Sequence, residues 1–136
     1  MASIRTETTI DATPEEAWDA LRDWGALHTR LAPGFVVDTR LDGSDRLVTF
    51  ANGVTVREVL VTRDHATRRL VWSIVEGPYE HHNGAAQVLL DADGTTRFVW
   101  TADVLPDSAA ERTKAMMEQG TATVRQTLES VDRQFA

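Results

Sequence analysis

Cysteine is absent from the 136-residue chain, which removes disulfides, thiolate metal sites and cysteine nucleophiles from consideration. A reducing compartment is compatible with that absence. Basic residues are scarce as well, with 14 Lys and Arg against 21 Asp and Glu and a formal net charge of −7. Nucleic-acid binding draws most of its affinity from cations that neutralise phosphates, so this balance argues against a nucleic-acid partner. The same balance gives no attraction to anionic lipid headgroups, and no run approaches the roughly 18 apolar residues of a membrane span. The start, Met1-Ala2-Ser3-Ile4-Arg5, has no apolar signal core; the expected location is the cytoplasm, without membrane insertion. Also missing are a serine elbow, a P-loop, a dinucleotide fingerprint, an H-E-x-x-H pair and a calcium loop, so no metal and no cofactor is expected.

What is present reads as a single domain over residues 1–136, long enough to bury about two-thirds of its unfolded surface without a staple. Its most organised stretch is the last thirty residues. Pro106 ends a strand-like run, and Ser108 with Glu111 offers an S-x-x-E capping box at a helix start. Met117, Gly120, Thr121, Val124, Leu128, Val131 and Phe135 then recur at spacings of three and four, giving one apolar face. At about 1.5 Å per residue such a helix spans roughly 40 Å, enough to cover a whole sheet.

Upstream, residues 3–10 alternate as a first strand. Thr13-Pro14-Glu15-Glu16 marks a helix start, Ala17, Trp18 and Leu21 give that helix an apolar side, and residues 26–31 form a second short helical turn before Pro33-Gly34. Trp18 and Trp24 are expected to anchor these pieces. Strand-like runs then cover 35–41, 47–50, 54–62, 69–75, 79–90 and 95–104. The turns between them are Asp42-Gly43-Ser44, Asn52-Gly53, Asp64-His65-Ala66-Thr67, Gly77-Pro78 and Asp91-Ala92-Asp93-Gly94. The expected fold is α+β, a seven-stranded, mostly antiparallel sheet gripping a long C-terminal helix, with two short helices after strand 1.

Three stretches carry a likeness to a known group: Ile10-Asp11-Ala12-Thr13-Pro14-Glu15-Glu16-Ala17-Trp18-Asp19 with Asp23-Trp24; Gly53-Val54-Thr55-Val56-Arg57-Glu58 followed by Arg68-Arg69-Leu70-Val71-Trp72; and Asp93-Gly94-Thr95-Thr96-Arg97-Phe98-Val99-Trp100. In these the sequence resembles the START-like, helix-grip superfamily (SRPBCC) and, within it, the polyketide cyclase/dehydrase-like group. The likeness covers nearly the whole chain and marks fold more than function. It implies a cavity between sheet and helix that holds a hydrophobic small molecule, aromatic or polyketide-like compounds among the candidates.

Strand alternation selects the walls of such a cavity, because side chains two apart share a face. Phe98, Trp100, Ala102 and Val104 form one inward set; Leu70, Trp72 and Ile74 another, reaching Glu76 at the rim; and Glu80, His82, Gly84, Ala86, Val88 and Leu90 a third, with His81 pointing out. On 54–62 the sets Val56-Glu58-Leu60 and Arg57-Val59-Val61 fit equally well. The candidate ligand contacts are Trp72, Ile74, Ala86, Val88, Phe98, Trp100, Met116, Met117, Gly120 and Val124, the small Gly120 and the adaptable methionines leaving room beneath the helix.

His82 with Glu58, Glu76 or Glu80 is the candidate acid–base pair, since histidine titrates near neutrality; Glu58 is the carboxylate placed with it. Arg40 and Arg57 are candidates for a ligand carboxylate, read against an ordinary role in exposed salt bridges; His28 and His65 are given no role. Three functions stand: a hydrophobic-ligand binder, a polyketide aromatase/cyclase or dehydratase using His82 and a glutamate, and a protein-interaction module of the co-chaperone type working through the outer sheet face. Either a monomer or a homodimer is compatible with the sequence.

Overall fold

The computed structural model describes the backbone of residues 1–135 and the side chains of residues 1–130. Seven strands, β1 (Ala2–Ile10), β2 (Val36–Asp42), β3 (Asp45–Phe50), β4 (Thr55–Asp64), β5 (Arg69–Glu76), β6 (His81–Leu90) and β7 (Thr96–Leu105), form one sheet in the order β1-β7-β6-β5-β4-β3-β2. Every pairing is antiparallel. β2 to β7 make a meander, and β1 closes onto β7, so the edges are β1 and β2. The hairpin turns fall where glycine and acidic side chains were expected to place them. Gly53 and Gly94 adopt φ of 88° and 85°, and each donates its N–H back to the residue three before it, Phe50 and Asp91.

The connection between β1 and β2 carries α1 (Pro14–Leu21) and a five-residue π-helical turn (Leu27–Leu31) in place of a second α-helical piece. α1 starts as its sequence dictates: Thr13 Oγ1 accepts from Glu16 N at 3.1 Å, and Glu16 Oε2 accepts from Thr13 N at 3.4 Å. Ala17, Trp18, Ala20 and Leu21 are its buried side.

The long helix α2 (Ala110–Phe135) departs from expectation at its start. Ser108 and Glu111 form no capping box among the described residues; a 3₁₀ turn (Asp107–Ala109) leads in, with Ala109 N–H donating to the Pro106 carbonyl. Met117, Gly120, Thr121, Val124 and Leu128 are buried along one face. The Val131 and Phe135 side chains, assigned to the same face by spacing, lie outside the described side chains.

α2 runs closest to β1, with nearer approaches also to β7 and the π-turn. Its polar seam with β1 is a bond between Thr6 Oγ1 and Thr121 Oγ1 at 2.8 Å, both residues being buried. One hydroxyl without the other is an unsatisfied buried group, whereas removing both is nearly neutral. Thr6→Val or Thr121→Val alone is expected to destabilise by about 1–3 kcal/mol, and the double variant by clearly less than the sum of the two. Urea denaturation of the four proteins checks this.

Candidate ligand cavity

A cavity of about 210 Å³ lies between the inner sheet face and α2. Its floor is built by alternation from Arg46 and Phe50 on β3, Val56 and Glu58 on β4, Leu70, Trp72 and Ile74 on β5, His82 and Ala86 on β6, and Phe98 and Trp100 on β7. Its roof is Thr113, Met116, Met117, Gly120 and Val124 of α2, and Leu21, Leu27, Leu31, Ala32, Phe35 and Val36 close the far side. Four lining residues are exposed, Asn52, Val54, Pro78 and Arg112, and they mark the mouth between two hairpin turns and the first turns of α2.

The Val56-Glu58-Leu60 set is the one that faces in: Val56 and Glu58 are buried while Val61 is 55% exposed. The pairing of this stretch with β5 is irregular, shifting register between Arg57 and Glu58 and again between Leu60 and Thr62. Arg57 points away and is held by Asp42, Asp45 and Glu76 at 2.7, 3.1 and 3.7 Å, which makes it a salt-bridge residue and no cavity group.

Of the ten expected wall residues, all but Val88 line the cavity. Val88 is 1% exposed and belongs to the same buried cluster as Ala17, Trp18 and Leu21 of α1, so it is core and not cavity wall. Leu90, two further along, is 57% exposed beyond that cover. Gly120 lines the cavity, yet its small size serves close packing: a Cβ there falls 2.8 Å from Trp100 Cζ3 and 3.0 Å from Phe35 Cε2. Gly84 does the same for Trp72, whose Cε2 lies 2.5 Å from where a Cβ would be.

The expected His82–Glu58 pair is not formed. β5 runs between β4 and β6, with Ile74 directly opposite Glu58, so two strand spacings of about 4.8 Å each keep the carboxylate from the imidazole. Glu76 is engaged with Arg57, and Glu80 is exposed ahead of β6. Glu58 instead binds Arg46: Nε and Nη2 each lie 2.8 Å from Oε1, with both residues 4% exposed. Arg46 Nη1 also donates to the Trp24 carbonyl at 3.2 Å, and its guanidinium carbon lies 3.7 Å from the Trp24 ring centroid. Burial pushes the Arg46 guanidinium below its ordinary pKa, and Glu58 works in the opposite direction.

His82 is 5% exposed, and burial lowers its pKa from 6.5 to about 4, so it is neutral at pH 7. Its Nδ1 has no hydrogen-bond partner among the described residues. The Tyr79 ring meets it edge-on at 4.8 Å, and Tyr79 Oη shares a hydrogen bond with Thr113 Oγ1 at 2.7 Å. His65 has a packing role after all, accepting from Trp18 Nε1 at 3.1 Å, and Trp24 Nε1 donates to the Ser44 carbonyl.

Arg46 escaped the sequence reading because the strand there reads as starting at Leu47, which leaves Asp45 and Arg46 unassigned after the Asp42-Gly43-Ser44 turn. Beginning the strand at Asp45 would have put Arg46, Val48 and Phe50 on one alternating face. Tyr79, Thr113 and Phe35 carried no comparable signal, since each reaches the cavity through tertiary placement.

The geometry suits enclosure of an apolar molecule. The family model described as polyketide cyclase/dehydrase and lipid transport matches residues 1–135. The chain belongs to that family. Solved structures share its fold: XoxI from Bacillus cereus aligns with a TM-score of 0.85 at 20% identity over 97% of this chain and 99% of its own. A Nitrosospira multiformis protein gives 0.82 at 20% identity over 97% and 99%, and a Thermobifida fusca protein gives 0.76 at 26% identity over 95% and 91%. No curated protein matches the chain significantly. No helix among the described residues is long and apolar enough to cross a membrane.

Two outcomes are expected from this geometry. Gly120→Leu must displace the Trp100 and Phe35 rings, and should destabilise the fold by about 1–3 kcal/mol in urea denaturation. For His82, an unfolded chain takes up a proton near pH 6.5, whereas the folded one does so only near pH 4. The unfolded state therefore binds more protons as pH falls through that window, and stability drops by about 3 kcal/mol between pH 6.5 and 4 from this residue. His82→Leu should flatten that part of the pH–stability curve.

Proposed function

We propose that this protein binds a small hydrophobic molecule, aromatic or polyketide-like in character, between its sheet and α2. The observation that carries the reading is the cavity itself: about 210 Å³, walled by buried aromatic and aliphatic side chains, and opening at Asn52, Val54, Pro78 and Arg112. In this reading Trp72, Phe98 and Trp100 supply flat apolar contact, Met116 and Met117 adapt to the ligand's outline, and Ile74, Ala86 and Val124 complete the surface. The family's description, which names both cyclase/dehydrase and lipid transport, is compatible with such a role.

Binding is favoured over acid–base turnover on the state of the polar groups. A general acid–base pair needs a titrating group within reach of its partner. Here Glu58 is tied to Arg46, no carboxylate among the described residues is hydrogen-bonded to His82, and burial outweighs the opposing influence of Asp103 and keeps the imidazole neutral through the physiological range.

N-phenyl-1-naphthylamine, neutral and fluorescent in apolar surroundings, tests the reading. Saturable binding at one site per chain is expected. Met116→Trp, at a half-buried position near the mouth, should weaken it at least about tenfold while leaving the melting temperature within a few degrees. Non-saturable binding, or equal affinity in the folded variant, counts against a cavity site.

A further inference from the structure

Resting on the cavity reading above, we propose that the ligand is an uncharged molecule carrying a hydroxyl group, and that this hydroxyl donates its hydrogen bond to the second carboxylate oxygen of Glu58. Glu58 faces the cavity, and both Arg46 contacts fall on Oε1. No described residue donates a hydrogen bond to Oε2, and the carboxylate lines the cavity. An ionised carboxylate is an acceptor with room for about four hydrogen bonds, and an acceptor facing an apolar cavity favours a ligand that brings a donor to it. Oε2 is therefore the acceptor available to a donor on a molecule bound in the cavity.

Charge selects which donor. Arg46 and Glu58 cancel one another, and His82, the other titratable group on the floor, is neutral near pH 7. Arg46 has little to offer an anion: Nε and Nη2 are on Glu58, Nη1 is on the Trp24 carbonyl, and the Trp24 ring covers the guanidinium face. An anionic head seated here would bring an uncompensated charge beside Glu58, and a cationic one would leave the floor with a net positive charge; both are heavily penalised in such a medium. Arg112 at the mouth is exposed and in no ion pair among the described residues, so a carboxylate is better met outside the cavity than within it. A neutral alcohol or phenol satisfies Oε2 without changing the charge.

The location fits a fused-ring or similarly flat body. Ile74 lies opposite Glu58, Trp72 and Leu70 follow along β5 away from the mouth, and Trp72 and Trp100 stand 6.4 Å apart between ring centroids. A hydroxyl held at Glu58 directs the attached ring system over Trp72.

The test compares three compounds of nearly equal size by calorimetry at pH 7: 1-naphthol, its methyl ether 1-methoxynaphthalene, and 1-naphthoate. A hydrogen bond to a carboxylate predicts that 1-naphthol binds at least about tenfold tighter than the ether and the acid. Single substitution of Glu58 strands the buried Arg46 charge, so the variant used is the double replacement Arg46→Met with Glu58→Leu, a swap of a buried ion pair for apolar side chains that folds commonly tolerate. In it the naphthol-to-ether ratio should fall to within about threefold of one. Equal wild-type affinities, tighter naphthoate, or a preference that survives in the double variant each overturn the proposal; the wild-type ratios alone decide it if that variant fails to fold. If N-phenyl-1-naphthylamine binds while naphthol is not preferred, only this inference falls. If none of the four compounds binds, the cavity reading falls with it.

Discussion

The contact on which most of the structure depends is the buried pairing of Arg46 with Glu58. A guanidinium at 4% exposure is tolerable only with a counter-charge in good geometry, and removing that partner costs far more than the pair itself contributes. This one requirement fixes several elements at once. Glu58 must face inward, which sets the register of β4 against β3, where Arg46 and Glu58 are directly opposed. Slipping β4 by one residue would bring Arg57 or Val59 beside Arg46 and leave a buried cation unpaired. The Trp24 carbonyl and ring bind the other sides of the guanidinium, so the connection between α1 and the π-turn is pinned to the same point.

The cavity follows from how α2 is seated. The helix packs along β1 and β7, near one edge of the sheet, and meets the π-turn on its other flank. Between these supports, the inner faces of β3 to β6 reach α2 only through long side chains. Aromatic rings do much of the spanning, and two glycines let them lie close to the backbone: Trp72 over Gly84, and Trp100 with Phe35 against Gly120. Large rings held flat in this way are fixed by what lies beneath them and have little freedom to collapse into the space beside them. The opening is thus a consequence of well-packed walls.

Local chemistry made much of this legible in advance. The Thr13-Pro14-Glu15-Glu16 start, the glycine turns and the period-two strands are signals that neighbouring residues settle among themselves, and the seven strands and α2 follow from them. Alternation also brought His82, Trp72, Ala86 and Phe98 to the cavity. It failed where the answer depends on a distant strand. Whether Glu58 or Arg57 faces in is decided by Arg46 twelve residues earlier, and that residue fell between the turn and the strand as read from sequence. His82 and Glu58 share a face, but a face says nothing of how many strands lie between two residues, and Ile74 is what separates them. Gly120 was read as room because composition alone does not distinguish a glycine that leaves space from one that a tryptophan needs. The Ser108-x-x-Glu111 signature was overridden by the 3₁₀ turn that follows Pro106.

The polar groups at the cavity can be ordered by what binds them. Arg46 is satisfied on three sides, Tyr79 and Thr113 satisfy one another at the helix, and His82 is kept neutral by the same burial that leaves its Nδ1 without a partner. Glu58 differs because one oxygen is fully engaged and the other is not. A charged side chain placed inside an apolar cavity, neutralised in total yet under-coordinated on one atom, combines two properties that recognition requires: it is held rigidly by its own ion pair, and it retains a strong acceptor site for a molecule that arrives later. A fold that needed only to stabilise Arg46 would gain from using both oxygens, as a bidentate pair does. The one-sided geometry therefore separates the structural task of Oε1 from the acceptor that Oε2 presents to the cavity.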